Sequence, residues 1–219
     1  MPRLPAETAA PFVPARATLP QLAEAEQKCT GCDLYRHATR AVPGEGLRSA
    51  RIVMVGEQPG DREDLSGKPF IGPAGRLLDR ALEDAGIARS DVYVTNAVKH
   101  FKFQERGKRR IHKKPSTSEI EACFPWLSAE ISILRPRLIV CLGATAARAV
   151  IGKHHQLLKQ RGIFLDHPMA EAVTATVHPS AILRAADSAS RQLAYQAFVN
   201  DLIAVRRRIY RGASSTTQI

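Results

Sequence analysis

The sequence predicts a three-layer α/β/α fold, a single domain with a mainly parallel central sheet and helices on both faces. Three observations carry this expectation. Short apolar runs alternate with amphipathic stretches along most of the chain, the pattern of strands joined by crossover helices. Two of those runs close on a glycine, Gly56 and Gly143. The residues with the most chemistry to offer, Glu57, Asn96 and His178, each follow a predicted strand, and open sheets of this kind bind ligands beyond the carboxyl ends of their strands. With 219 residues and 44% hydrophobic content, the chain can bury one substantial core.

Residues 1–20 hold five of the fourteen prolines and no continuous apolar stretch, so they read as a flexible lead and not as a signal peptide. The globular domain is expected over residues 21–211, followed by a polar tail at 212–219. Residues 51–55 (Arg-Ile-Val-Met-Val) form the first strand. A helix is expected over 76–85, where Leu77, Leu78, Ala81, Leu82 and Ala85 share a face and Gly86 supplies the stop. Residues 92–95 make the second strand. Ser116 and Glu119 have capping-box spacing and open a helix whose apolar face is Ile120, Cys123, Phe124, Leu127, Ile131 and Leu134. Pro125 is tolerated only near a helix start, so this helix is expected to begin late or bend. A strand at 138–142, a helix at 144–151, strands at 162–165 and 172–177, and a final helix over 191–208 complete the pattern. There is no internal repeat.

Charge narrows the partner. The formal net charge is +11 and the isoelectric point is near 10, with no apolar run of membrane-spanning length. Over half of that charge comes from one stretch, Lys102 to Lys114, which sets seven Lys and Arg residues against the single Glu105. Such density calls for a polyanion, nucleic acid above all. A membrane surface would take a basic amphipathic helix, and Gly107 and Pro115 break this run. His112 lies among the cations; on composition alone the stretch is a disordered basic arm in which that histidine has no special role. Cytoplasmic residence is the default expectation, and four cysteines in a reducing compartment read as thiols or metal ligands.

The connection after the first strand runs Gly56-Glu57-Gln58-Pro59-Gly60-Asp61 and then Gly67-Lys68-Pro69-Phe70-Ile71-Gly72-Pro73-Ala74-Gly75. Such glycine density lets backbone N–H groups approach a ligand ahead of a helix N-terminus, but the spacing is neither that of a P-loop nor that of a dinucleotide fold. Glu57 and Asp61 are candidate acid, base or water-orienting groups, or else ordinary turn-capping carboxylates. Phe70 is either core packing or a stacking platform for a planar ligand. His178-Pro179-Ser180 places an imidazole at a strand end, suited to donating a hydrogen bond to a developing anion, or else a structural histidine at a sheet edge. The amide of Asn96 can read a base edge as donor and acceptor together, although an asparagine there is by itself more often a turn residue. Cys29-x-x-Cys32 is a metal half-site that zinc would also satisfy.

Taken together, residues 56–60, 67–75, Thr95-Asn96-Ala97-Val98-Lys99 and His178-Pro179-Ser180 resemble the uracil-DNA glycosylase superfamily, in its iron–sulfur family 4 branch. Gln58 and Lys108-Arg109-Arg110-Ile111-His112 resemble the signature of the UdgX subgroup, which excises uracil and stays covalently attached to DNA. The resemblance runs in order over about residues 25–205. It implies uracil-containing DNA as substrate, with uracil stacked on Phe70, read by Asn96 and surrounded by the loop of Gly56, Gln58 and Asp61. His178 would hydrogen-bond the departing base, Ser180 and Arg184 would hold phosphates, and Glu63 would help exclude a thymine methyl. Arg110 and its neighbours would anchor the basic loop on phosphates, holding a neutral His112 near C1′ with Glu57 orienting it, so that a histidyl–deoxyribose adduct forms. The family pattern also implies a 4Fe–4S cluster. Its helix cysteine matches Cys123, but the position after the Asn-x-Val-Lys segment is His100, so Cys29, Cys32, His100 and Cys123 are the expected ligands and Cys141 is expected in the core.

Three functions compete at this point: a covalent uracil-DNA glycosylase, an ordinary multiple-turnover glycosylase whose basic loop only grips DNA, and a non-catalytic iron–sulfur module that binds nucleic acid. A monomer preferring single-stranded DNA is expected, since an unpaired base costs least to flip.

Overall fold

The computed structural model describes residues 8–210. In chain order its elements are α1 (Leu19–Glu26), β1 (Ile52–Gly56), α2 (Asp61–Ser66), α3 (Pro73–Asp84), β2 (Val92–Asn96), β3 (Phe103–Arg106), β4 (Arg109–His112), α4 (Thr117–Leu134), β5 (Leu138–Leu142), α5 (Ala144–Val150), α6 (Leu157–Gln160), β6 (Leu165–His167), β7 (Ala170–Thr176), α7 (Pro179–Leu183) and α8 (Ser188–Tyr210). The central sheet has the order β2-β1-β5-β7-β6; its first four strands run parallel and β6 pairs antiparallel at the edge. The fold class is therefore the expected one.

Period-two alternation divides the core between two faces. Ile52, Met54, Val92, Leu138 and Val140 meet Leu78 and Leu82 of α3 and Phe198, Leu202 and Val205 of α8. Val53, Val55, Ile139, Cys141 and Val173 face the other way, against Leu127 and Ile131 of α4 and Ala146, Ala147 and Val150 of α5. Cys141 is fully buried there, in the core as expected.

Several boundaries differ from the sequence expectation. The capping box at Ser116 and Glu119 forms, so α4 starts at Thr117 and carries Pro125 in its interior instead of starting late. The carbonyl that loses its partner belongs to Glu121, an exposed position where water can serve it. The lead is shorter than expected. Ala9 is buried and its N–H donates to the Ala122 carbonyl at 2.8 Å, and Thr18 and Gln21 form a capping box that opens α1. Residues 1–7 and the tail from 211 lie outside the described residues. Gly162 sits in a turn with φ of 74°, so the strand expected at 162–165 begins only at Leu165.

The basic stretch is an ordered hairpin, not a disordered arm. β3 and β4 pair antiparallel with Phe103 opposite His112. Gly107 supplies the positive φ of 60° at the first turn position, the requirement of a tight two-residue hairpin turn.

Candidate active site

Four parallel strands end side by side, and each delivers one polar side chain. β2 ends in Asn96, β1 is followed by Glu57, β5 by Thr145 on the first turn of α5, and β7 by His178. Three of these four were anticipated. Thr145 was not, although its place two residues after Gly143 is where the strand-end rule directs attention.

His178 has its tautomer set by its neighbours. The Ser180 N–H donates to Nδ1 at 3.1 Å, so Nδ1 accepts and the neutral ring carries its hydrogen on Nε2. Ser180 Oγ lies 2.8 Å from the same nitrogen and accepts from Arg184 at 3.1 Å. Desolvation pushes the His178 pKa down to about 4, against the pull of the Glu57 charge. The ring is thus a neutral donor around pH 7.

Phe70 lies beside His178, with ring centroids 6.2 Å apart and the planes 27° from parallel. Its φ of 57° is a left-handed conformation that a phenylalanine rarely adopts, the strain expected where a loop is shaped for a ligand. Gly56 lies between Phe70 and Asn96: a Cβ there would stand 2.4 Å from Asn96 Oδ1 and 2.8 Å from Phe70 Cζ. Asn96 is only 3% exposed, and among the described residues its side-chain amide has no hydrogen-bond partner. A buried amide left unengaged beside an aromatic face suits a planar polar ligand. Glu63 is also buried; its Oε1 accepts from the Gly72 N–H at 2.7 Å and so braces the loop that carries Phe70.

Glu57 joins the strand ends to the hairpin. Its Oε1 is 3.3 Å from His112 Nε2, and its Oε2 accepts from Thr145 Oγ1. Burial works against the charged form of Glu57, but hydrogen bonds from His112 and Thr145 and the nearby His178 hold its pKa below the usual carboxylate value. His112 itself is half exposed.

Three residues expected to contact substrate also hold the hairpin. Gln58 spends its amide on the hairpin stem, donating to the Lys102 and Lys113 carbonyls at 3.1 Å and accepting from the Lys102 N–H at 3.1 Å. Arg110 is already paired within the chain. It pairs with Asp61 and Asp64, each at 2.6 Å, and stacks over Phe101 and Phe103. Asp61 is therefore a tether on α2. Asp64 has no exposed surface, and it also accepts from the Thr39 N–H and hydroxyl. Lys102 binds Glu119 at 2.8 Å. Arg106, Lys108, Arg109, Lys113 and Lys114 remain exposed.

Cys29, Cys32 and Cys123 belong to one buried cluster with Leu22, Val98 and Trp126. Trp126 Nε1–H donates to Cys29 Sγ at 3.2 Å and the Lys99 N–H to Cys123 Sγ at 3.3 Å. His100 is buried and its pKa falls to about 4 through desolvation, leaving a neutral imidazole. Among the described residues, no three His, Cys, Asp or Glu side chains are grouped closely enough to hold a metal ion. The donor chemistry nevertheless suits a soft metal group: buried thiols met by N–H donors, with an unprotonated imidazole one residue past Lys99. A groove lined by Leu47, Arg48, Ser132 and Arg135 lies at the amino ends of the strands and includes none of the candidate residues.

Residues 43–203 match the family model described as the uracil DNA glycosylase superfamily. The chain is 42% identical to a type-4 uracil-DNA glycosylase of Thermotoga maritima over 74% of its own length and 82% of the relative's. It is 38% identical to a type-4 uracil-DNA glycosylase of Pyrobaculum aerophilum, over 76% of the chain and 85% of the relative. A type-5 uracil-DNA glycosylase of the same organism is 29% identical over 64% of the chain and 66% of the relative.

Proposed function

Because this chain belongs to the uracil DNA glycosylase superfamily, we propose that it removes uracil from DNA by breaking the N-glycosidic bond. The observation that carries this reading is the pairing of a free Asn96 amide with a His178 whose only hydrogen faces away from Ser180. Uracil stacks on Phe70, and Asn96 reads its edge. His178 Nε2–H donates to the base oxygen that gains charge as the bond breaks, which makes the base a better leaving group. Ser180 and Arg184 contact phosphate. The exposed hairpin cations bring the strand in, with single-stranded DNA preferred.

The finer reading concerns the sugar. The relatives are named uracil-DNA glycosylases, which is compatible with an ordinary glycosylase in which C1′ is given to water. The position of His112 on Glu57, in a hairpin braced by Gln58 and Arg110, favours capture by the imidazole, as in the UdgX subgroup. The glycosidic electron pair leaves with the base while a ring-nitrogen lone pair of His112 forms the new bond to C1′. The resulting imidazolium loses its N–H proton, by way of Glu57 or solvent, to the uracil anion. Neutral uracil and a histidyl–deoxyribose adduct remain.

Cys29, Cys32, Cys123 and His100 would hold a 4Fe–4S cluster, which supplies structural support to the lobe around α1 and α4. The test of function is a denaturing gel of protein mixed with single-stranded DNA carrying one deoxyuridine. A heat- and detergent-stable complex, lost in His112→Ala while uracil release continues, is the expected result. Free abasic DNA alone would establish the hydrolytic reading. Unchanged DNA would overturn the glycosylase assignment and leave a nucleic-acid-binding module.

A further inference from the structure

We infer that Thr145 is a positioning residue for the His112 step: its hydroxyl holds Glu57 so that the other carboxylate oxygen receives the imidazole. The inference rests on the covalent reading above and extends it to a residue that touches neither substrate nor the reacting atoms.

The geometry is specific. Thr145 is 3% exposed, and its hydroxyl donates to Glu57 Oε2 and to nothing else among the described residues. Glu57 Oε1 is the oxygen 3.3 Å from His112 Nε2. The carboxylate therefore bridges a fixed hydroxyl on the rigid side and a half-exposed imidazole on a hairpin. A carboxylate with one oxygen tied has a single rotational state in which the other faces the hairpin; untied, it can turn away.

The tie is built on rigid ground. Thr145 stands on the first turn of α5, directly after β5, the strand next to β1. Gly143 sets the approach of that turn, with φ of 92° and the place of its missing Cβ 3.1 Å from His178 Cβ. The same turn thus abuts His178, which handles the base, and grips Glu57, which handles the sugar. In the covalent step the C1′–N bond to uracil breaks with its electron pair, and the His112 nitrogen supplies the pair for the new bond. The positive charge formed on the ring then stands next to Glu57. Thr145 acts by keeping Glu57 there.

A loss confined to this device must show in the division of product, not in its total. In a single-turnover reaction with single-stranded deoxyuridine DNA, crosslinked and free abasic products are read from the same quenched sample. Thr145→Val is expected to lower the ratio of crosslinked to free abasic product about tenfold, the effect of losing one hydrogen bond to a charged group. Thr145→Ser, which keeps the hydroxyl, restores the ratio. Thr145→Ala gives the same comparison if the valine packs badly. An unchanged ratio in both hydroxyl-free variants, or equal loss of both products with no rescue by serine, would overturn the inference. If the unmutated protein yields only free abasic DNA, the His112 reading fails first and takes this inference with it.

Discussion

His178 owes its role to Ser180. By occupying Nδ1, the Ser180 amide leaves Nε2–H as the only donor the neutral ring can offer. Desolvation keeps the ring neutral down to about pH 4. Single-turnover uracil release is therefore expected to stay level from about pH 5 to about pH 8, with no inflection near the ordinary histidine value. An inflection there that tracked His178 would contradict its lowered pKa and neutral state at pH 7. Gly56 has an equally local reason: alanine would drive a methyl into Asn96 and Phe70. Gly56→Ala should lower uracil release at least ~100-fold, since the methyl displaces Asn96 and Phe70 from their places in the site. Asn96, Glu57 and His178 were legible because position after a strand is visible in one dimension. Thr145 was not, because its partner lies 88 residues away.

At the scale of elements, the hairpin is where sequence and structure part. Its residues alternate no clear apolar face and most are exposed, so no periodicity marked β3 and β4. What orders them is a set of long-range ties, Gln58 to Lys102 and Lys113 flanking the two strands and Arg110 to two aspartates of α2. That short helix was itself hidden within a glycine-rich loop. Because the Arg110 guanidinium is spent internally, Arg110→Ala should leave the log–log salt dependence of DNA binding nearly unchanged, whereas Lys108→Ala should reduce its slope by about one. The arginine variant should instead lose crosslinking while still releasing uracil. A salt slope reduced as much by Arg110→Ala as by Lys108→Ala would restore the phosphate-contact role that the family resemblance implies. By contrast, the strand expected at 138–142 matches β5 residue for residue, because a five-residue apolar run with β-branched Ile139 and Val140, closed by Gly143, is too short for a core helix.

Across the whole molecule, a buried charge network ties the cysteine lobe to the sheet. Lys99 and Glu130, each 1% exposed on the side chain, pair at 2.6 Å, and Glu130 also accepts from Thr95, Tyr93 and the Gly44 N–H. Lys99→Met leaves a buried carboxylate uncompensated and should cost about 3–5 kcal/mol in denaturant unfolding. Glu26 is buried beside this network with both oxygens unpartnered, and burial raises its pKa to about 8 despite the attraction of Lys99. Its folded value lies above its unfolded one, so the folded state holds the extra proton. The stability this gives is present below the ordinary glutamate value and lost as pH rises toward about 8. Glu26→Gln should remove that part of the decline, measured as the urea midpoint at several pH values; an identical pH slope in both proteins would show that Glu26 is not protonated in the fold. The fold class and the strand-end site were legible from local pattern, whereas this network joins helix, loop and strand segments far apart in the chain and no local signal announces it.

The central claim, that a base is excised and its sugar retained on one histidine, has a direct readout in mass. After incubation with single-stranded deoxyuridine DNA and denaturation, the protein should gain the mass of the oligonucleotide less one uracil. Digestion should then place the deoxyribose on the peptide containing His112. Free uracil with unmodified protein, or an adduct on any other residue, would contradict the account.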